Sequence, residues 1–470
     1  MLKLRRLLLV FFIASVCLAM VVNAQDAPAG RGGAGVAAGR GAAAGRGMRG
    51  MFGGRGGITS PEIADDNMVT FRISAPEANS VSLSGDWSSE RGAWGAGGPG
   101  VAMTKDPNGL WSVTVGPLES EMYGYTFNVD SALVWDPSNN DLKRDGTNVV
   151  SVVIVPGGDG DLYSVKDVPH GTLAKVWYES PTLDLRRRMY VYTPPGYYDS
   201  DEKYPVLYLL HGMGGDEDAW TSLGRTHMIL DNLIAQGEAK PMLVVMTNGN
   251  ANQTASPDAR PAGQQDAGFG MMGRGAARGE AGARGAAPAG ERGAAGAARG
   301  EAGARGAAPA GERGAAGAAR GEAGARGAGA ARGGIGGGLF PESIVTDIIP
   351  FMEKNFRVIA NQENRAVAGL SMGGMHTRTV TLAHPDTFSY YGVMSGGTYT
   401  VDELADHKDT LKLVFLSCGE RENPDGVNNA ASALEEAGFN AVSYVSPDSA
   451  HEWLTWRRSL IELAPLLFKD

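Results

Sequence analysis

The 470-residue chain has little cysteine, no metal-binding spacing and, over two long stretches, almost no large apolar residues. Its two cysteines are Cys17 and Cys418. Cys17 lies in a leader-like segment. Met1-Leu2-Lys3-Leu4-Arg5-Arg6 precedes an apolar run from Leu7 to Val22, and Val22-Asn23-Ala24 places small residues before Gln25, the pattern of a signal peptide cut after Ala24. The run is shorter than the ~20 apolar residues of a spanning helix and lacks a basic stop on its far side, so it reads as a leader and not an anchor. Export to a periplasm or the medium is oxidising, yet the one thiol left after cleavage, Cys418, excludes an intramolecular disulfide. Stability then rests on apolar cores. No arrangement of His, Cys and carboxylates has metal-ligand spacing, and no cofactor is expected.

Positive charge is also scarce. The formal net charge is −10, and about half of the arginines fall in two low-complexity stretches, 25–57 and 251–338, so the remaining sequence is more acidic still. That argues against nucleic acid as a partner of the folded parts and suits an enzyme of neutral polymers or small esters, with no membrane contact after leader cleavage. Both stretches are mostly Gly, Ala and Arg, too poor in large apolar groups for burial to offset chain entropy. The first reads as a disordered linker. The second reads as a disordered insertion and repeats Gly-Glu-Ala-Gly-Ala-Arg at 279–284, 300–305 and 321–326, a 21-residue period with no apolar face to stack. It follows a strand ending near Thr247, on the edge where parallel sheets hold their sites, so it is expected to hang near a substrate cleft.

Between these stretches the patterning is strong. Over 58–156, alternation as in Val69-Thr70-Phe71-Arg72-Ile73, Val81 to Gly85, Trp111 to Val115 and Tyr123 to Phe127, broken by turn residues, indicates a small β-sandwich. A Gly/Asp-rich linker is expected over 157–165. From 166 to 470, apolar strands (Tyr204 to Leu210, Met242 to Thr247, Leu411 to Ser417, Ala441 to Ser446) alternate with helical stretches, the signature of a mainly parallel α/β sheet.

Within that region stands Gly369-Leu370-Ser371-Met372-Gly373, a G-x-S-x-G pentapeptide. In a chain with 69 glycines it carries little weight alone, but Arg365 to Leu370 reads as a buried strand and Met372 to Ala383 as a helix, the context a nucleophile elbow requires. A serine hydroxyl needs a base, a carboxylate to orient that base, and N–H donors for an oxyanion. Of the seven histidines, His451 alone follows the last strand just before the C-terminal helix, where an α/β-hydrolase keeps its base. His376 is placed to point into packing, and His211 to brace a loop. The acid should follow Leu411 to Ser417, where Glu420, Glu422 and Asp425 compete and spacing does not choose. His211-Gly212-Met213-Gly214-Gly215, at a strand end, can present amides, so Met213 and Met372 N–H are the oxyanion pair. Trp220 and Trp453 are candidate walls of an acyl pocket.

These residues resemble a known family. Leu209 to Glu217 with Trp220, Asp231-Asn232-Leu233-Ile234, Gly369 to Gly374, and His451 with Trp453 are similar to the esterase D and feruloyl esterase group, carbohydrate esterase family 1. The resemblance implies an α/β-hydrolase fold over 166–470, assigns the acid to Glu422 where Asp is commoner, and implies a secreted serine carboxylesterase acting on feruloyl or other hydroxycinnamoyl esters of cell-wall polysaccharide such as xylan. Its alternatives are an acetyl or short-chain carbohydrate esterase, an acyltransferase of the mycolyltransferase type, and a non-catalytic polysaccharide-binding protein. Residues 66–156, including Ser84-Gly85-Asp86-Trp87, resemble the family 48 carbohydrate-binding or early-set immunoglobulin-like module, in which Trp87, Trp94 and Trp135 could stack on sugars, against core packing as the plainer role.

Overall fold

The computed structural model describes residues 57–87, 100–145, 148–259 and 338–469. The leader, the linker up to residue 56, Trp94 and the repeats lie outside them. The first ten strands are β1 (Glu62–Ile63), β2 (Val69–Ser74), β3 (Val81–Gly85), β4 (Val101–Ala102), β5 (Thr104–Lys105), β6 (Leu110–Val115), β7 (Met122–Val129), β8 (Ala132–Val134), β9 (Leu142–Asp145) and β10 (Asn148–Ile154). They form two antiparallel sheets, ordered β1-β2-β6-β5 and β4-β3-β7-β10-β9, with β8 paired to β7. Alternation explains the arrangement: Val69, Phe71 and Ile73 of β2 and Tyr123, Tyr125 and Phe127 of β7 project into one cluster between the sheets.

The stretch 157–165 is not the free linker its composition suggests. It forms a short helix, Gly158–Tyr163, whose Tyr163 is buried and donates its hydroxyl to Glu121 Oε2 at 3.3 Å. A single large aromatic at the end of a Gly/Asp run supplies burial that the average composition hides.

Eight further strands make the central sheet: β11 (Thr172–Ser180), β12 (Leu185–Thr193), β13 (Val206–Leu210), β14 (Leu243–Thr247), β15 (Arg365–Leu370), β16 (Tyr390–Met394), β17 (Leu413–Gly419) and β18 (Ala441–Ser446). Their order is β11-β12-β14-β13-β15-β16-β17-β18. The pairings of β11 with β12 and of β12 with β14 are antiparallel, and the rest are parallel, as an α/β-hydrolase sheet requires. Apart from Arg365 at the start of β15, β13 to β17 are buried throughout because both faces are covered. Successive side chains separate accordingly: Val206, Tyr208 and Leu210 join one apolar cluster and Leu207 and Leu209 the other.

The second cluster crosses the boundary between sandwich and α/β region. Met122 of β7 and Val152 of β10 pack in it with Tyr163, Trp220 and Leu460. At its margin Arg457, 2% exposed, donates to Glu121 Oε1 at 3.1 Å and to the Met122 carbonyl at 2.8 Å, and Arg458 Nε donates to Glu121 Oε2 at 3.2 Å. Losing one partner of such a buried pair costs about 3–5 kcal/mol, because the other charge is stranded without water.

The start of the expected insertion is also ordered. Residues 251–259 fold back over β12, where Arg187 Nε donates to the Gln253 carbonyl at 3.1 Å and Arg188 donates to Ser256 Oγ and, at 2.6 Å, to Asp258 Oδ1. Ala255 is buried beneath them. Two guanidiniums and a serine carry what the low-complexity composition could not.

Candidate active site

β15 ends at Leu370 and the helix Met372–Ala383 begins two residues later, so Ser371 occupies the turn between them. Its backbone is held at φ 51° and ψ −115°, outside the ordinary regions for a residue with a side chain. Packing enforces that conformation. A Cβ on Gly369 would lie 2.4 Å from the Gly373 carbonyl carbon, and one on Gly373 would lie 2.5 Å from the Leu210 carbonyl oxygen, so both positions must be glycine. The Ser371 N–H donates to the Met394 carbonyl at 2.8 Å, tying the turn to β16.

β17 and β18 deliver the other two groups to the same edge. His451 Nε2 lies 2.9 Å from Ser371 Oγ, and His451 Nδ1 lies 2.7 Å from Glu422 Oε2. With Nδ1 protonated toward the carboxylate, Nε2 is free to accept the serine proton. Glu422 Oε1 accepts the Gly419 N–H at 2.7 Å and the Ser395 hydroxyl at 2.8 Å. Burial raises the Glu422 carboxyl's proton affinity. The hydrogen bonds from His451, Gly419 and Ser395 outweigh it and hold the group below the usual carboxylate range.

The competing acids are used elsewhere. Glu420 Oε2 accepts the Asp448 N–H at 2.9 Å, and Asp425 is exposed in the first turn of the helix Pro424–Glu436. Cys418 is buried in β17, where burial pushes its thiol up to about 11, out of the range of a nucleophile at neutral pH.

The turn after β13 sits against the elbow. Gly215 N–H donates to the Gly212 carbonyl at 3.2 Å, Gly214 takes φ +84°, and a Cβ on Gly212 would come within 3.2 Å of Ser371 Cβ. Met213, the residue after that contact, and Met372, the first residue of the helix, therefore flank the serine. The Met372 amide belongs to the helical first turn, whose N–H groups have no acceptor within the helix and carry its positive end. His211 is buried beneath the turn, with Nδ1 2.7 Å from the Gly212 carbonyl and Nε2 accepting the Gly249 N–H at 2.7 Å. Burial lowers its pKa, so it braces as a neutral ring. Asn250 Nδ2 donates to the Gly215 carbonyl at 2.8 Å. His376 faces Phe340 in the packing below, and burial brings its pKa down to about 4.

Trp220 does not form a wall of a substrate site. Its ring is 1% exposed, and its indole N–H donates to the Leu210 carbonyl at 3.0 Å, so it fills the core behind the turn. Trp453 is half-buried and meets Trp220 edge-on at 5.3 Å and Trp456 at 5.4 Å, while Trp456 meets the His451 ring at 5.1 Å. The tryptophans thus back the histidine as a packed row. In the sandwich, Trp87 stacks on Phe71 at 5.4 Å, whereas Trp135 is 54% exposed. Sequence reasoning missed Ser395 and Trp456, whose indole N–H donates to Ser395 Oγ at 3.0 Å. Ser395 stands directly after the apolar run Tyr390 to Met394 and before Gly396-Gly397, the strand-end position that also marks Glu422 and His451.

The family model described as "Putative esterase" matches residues 180–271 and 308–467. A curated protein described as endo-1,4-beta-xylanase/feruloyl esterase, from Xylanibacter ruminicola, is 33% identical over 415 residues, covering 87% of this chain and 46% of that protein. The chain thus spans about half the length of that relative. Among solved structures, the enterobactin esterase of Shigella flexneri aligns with a TM-score of 0.50 at 14% identity, over 84% of this chain and 93% of the other. A ferulic acid esterase of Anaeromyces mucronatus aligns at 0.43 and 17% identity, over 66% and 95%. The Shigella likeness is one of fold. The family model spans more than half of the chain and takes in Ser371, Glu422 and His451, and the protein belongs to this esterase family.

Proposed function

We propose that this chain is an exported serine carboxylesterase that releases feruloyl or related hydroxycinnamoyl groups from plant cell-wall polysaccharide such as xylan. The observation that carries the reading is the continuous hydrogen-bonded line from Ser371 Oγ through His451 to Glu422, beside a turn able to offer amides. The likeness to the Xylanibacter endo-1,4-beta-xylanase/feruloyl esterase, which extends over most of this chain, supports the acyl group and the polymer. The basic, apolar and small-residue order of residues 1–24 supports export.

In this mechanism Ser371 Oγ attacks the ester carbonyl carbon as its proton passes to His451 Nε2, and Glu422 keeps the imidazole aligned and balances its charge. The carbonyl oxygen, now negative, is held by the Met213 and Met372 N–H groups. His451 returns the proton to the departing sugar oxygen as the C–O bond breaks. Water, losing a proton to the same nitrogen, then attacks the acyl-enzyme, and the carboxylic acid leaves with Ser371 restored.

The test is a substrate panel on the purified protein with methyl ferulate, p-nitrophenyl acetate and feruloylated arabinoxylan, with Ser371→Ala as control. Release of ferulate from both feruloyl substrates, abolished in Ser371→Ala, is the expected result. Turnover of the acetate alone would replace the feruloyl reading with a short-chain esterase.

A further inference from the structure

The β-sandwich grips the α/β region beside the turn that supplies Met213. Arg144 of β9 donates Nη1 to Asp216 Oδ2 at 2.8 Å and Nη2 to Asp216 Oδ1 at 3.0 Å, and Nη2 also reaches Asp218 Oδ2 at 3.1 Å. The Arg144 backbone N–H donates to Ser222 Oγ at 3.0 Å. Asp216, 4% exposed, directly follows Gly215. Its carboxylate also accepts the Asp218 N–H at 2.9 Å, and its carbonyl accepts the Ala219 N–H at 3.1 Å. The far end of the turn is therefore fixed by one buried carboxylate, and that carboxylate is neutralised by a guanidinium from the other module. His211 and Asn250 hold the turn from within the α/β region, whereas this third fastening comes from the sandwich.

We propose that Arg144 is a positioning residue for the esterase reaction: through its two-pronged grip on Asp216 it sets the Gly212–Gly215 turn, and with it the Met213 N–H, against Ser371. The inference rests on the reading of this site as a serine esterase. It makes the sandwich a working part of the catalytic centre, whatever else the module binds. A planar fork on a carboxylate fixes direction as well as distance, which a lysine's point charge cannot do.

The test uses the full chain with p-nitrophenyl acetate as probe, comparing Arg144→Met, Arg144→Lys and Asp216→Asn. Arg72→Met, which breaks the Arg72–Glu62 pair and the hydrogen bond from Arg72 Nη1 to the Thr59 carbonyl, both away from the turn, is the control. A displaced oxyanion donor affects the transition state and not ground-state binding, so kcat should fall about tenfold to a hundredfold with KM within about twofold. The inhibition constant of a trifluoromethyl ketone should rise by the same factor. Arg144→Lys should fall between Arg144→Met and the parent, and Arg72→Met should match the parent. A lower melting temperature with unchanged kcat below the transition would show a purely structural contact and overturn the proposal. If Arg144→Met fails to fold, Asp216→Asn decides on the same readouts. Labelling of the parent protein at Ser371 by a fluorophosphonate separates the two readings: its absence overturns both, whereas labelling with unaltered variant kinetics overturns the positioning role alone.

Discussion

Ser395 Oγ donates to Glu422 Oε1 at 2.8 Å, so the carboxylate that orients His451 is itself oriented from the neighbouring strand end. The same hydroxyl accepts the Trp456 indole N–H, and Ser395 sits at φ 51°, with its own N–H donating to the Ser417 carbonyl at 2.7 Å. The acid is fixed from below as firmly as the imidazole is fixed from behind by Trp456.

Ser395→Ala should lower kcat about tenfold with little change in KM, since a hydrogen bond to a charged group contributes roughly 1.5 kcal/mol and the indole N–H is left unpaired. Steady-state kinetics on p-nitrophenyl acetate checks it. An unchanged kcat would show that Gly419 N–H alone suffices to orient Glu422.

Glu422→Gln should reduce kcat by about 10³- to 10⁴-fold through loss of the correct imidazole orientation and tautomer. It should also change acid stability. The folded carboxyl lies below its ordinary value of 4.5, so its contribution is full above that value and is lost as pH falls through the lowered one. Denaturant titrations in that window should show a shallower loss of stability in Glu422→Gln than in the parent.

His376 gives a second, higher window. Burial brings its pKa from 6.5 to about 4, so between these values the unfolded chain binds a proton that the folded protein does not. Stability should fall with acidification from pH 6.5 to 4, and His376→Leu should remove a share on the order of 3 kcal/mol of that fall. Parallel pH–stability curves for the two proteins would contradict the burial argument.

Gly212→Ala should fold, because its Cβ meets the movable end of Leu370, Cδ1, at 2.5 Å, yet it should push the turn off Ser371. A displacement of this kind costs up to about a hundredfold in kcat. Retained melting temperature with reduced fluorophosphonate labelling rate is the expected signature, and an unaltered rate would separate the turn from the oxyanion site.

Much of the site was legible because Ser371, Glu422 and His451 each follow an apolar strand, and strand ends can be read locally. The stretches read as strand and helix at Arg365 to Leu370 and Met372 to Ala383 have the same bounds in the fold. β16 was harder to read, since Gly392 interrupts its apolar pattern. There the glycine serves close packing, as a Cβ would lie 2.7 Å from Ala368 Cβ. Spacing did not separate Glu422 from Glu420, which differ by which side of one short loop they face. Arg144 and Asp216 are 72 residues apart in different modules, and no local pattern connects them. Trp220 misled because an aromatic near a catalytic turn has the same letter whether it faces substrate or core.

Glu121 has one carboxylate for two guanidiniums of the helix that begins just after His451, and both ends of that arrangement are out of water. A sandwich borrowed from another protein would bring its own residue to that position, and any partner but an acid would leave Arg457 stranded. Grafted chimaeras of this chain should therefore express as soluble protein only when the glutamate travels with the arginines, which ties the inheritance of the two modules together.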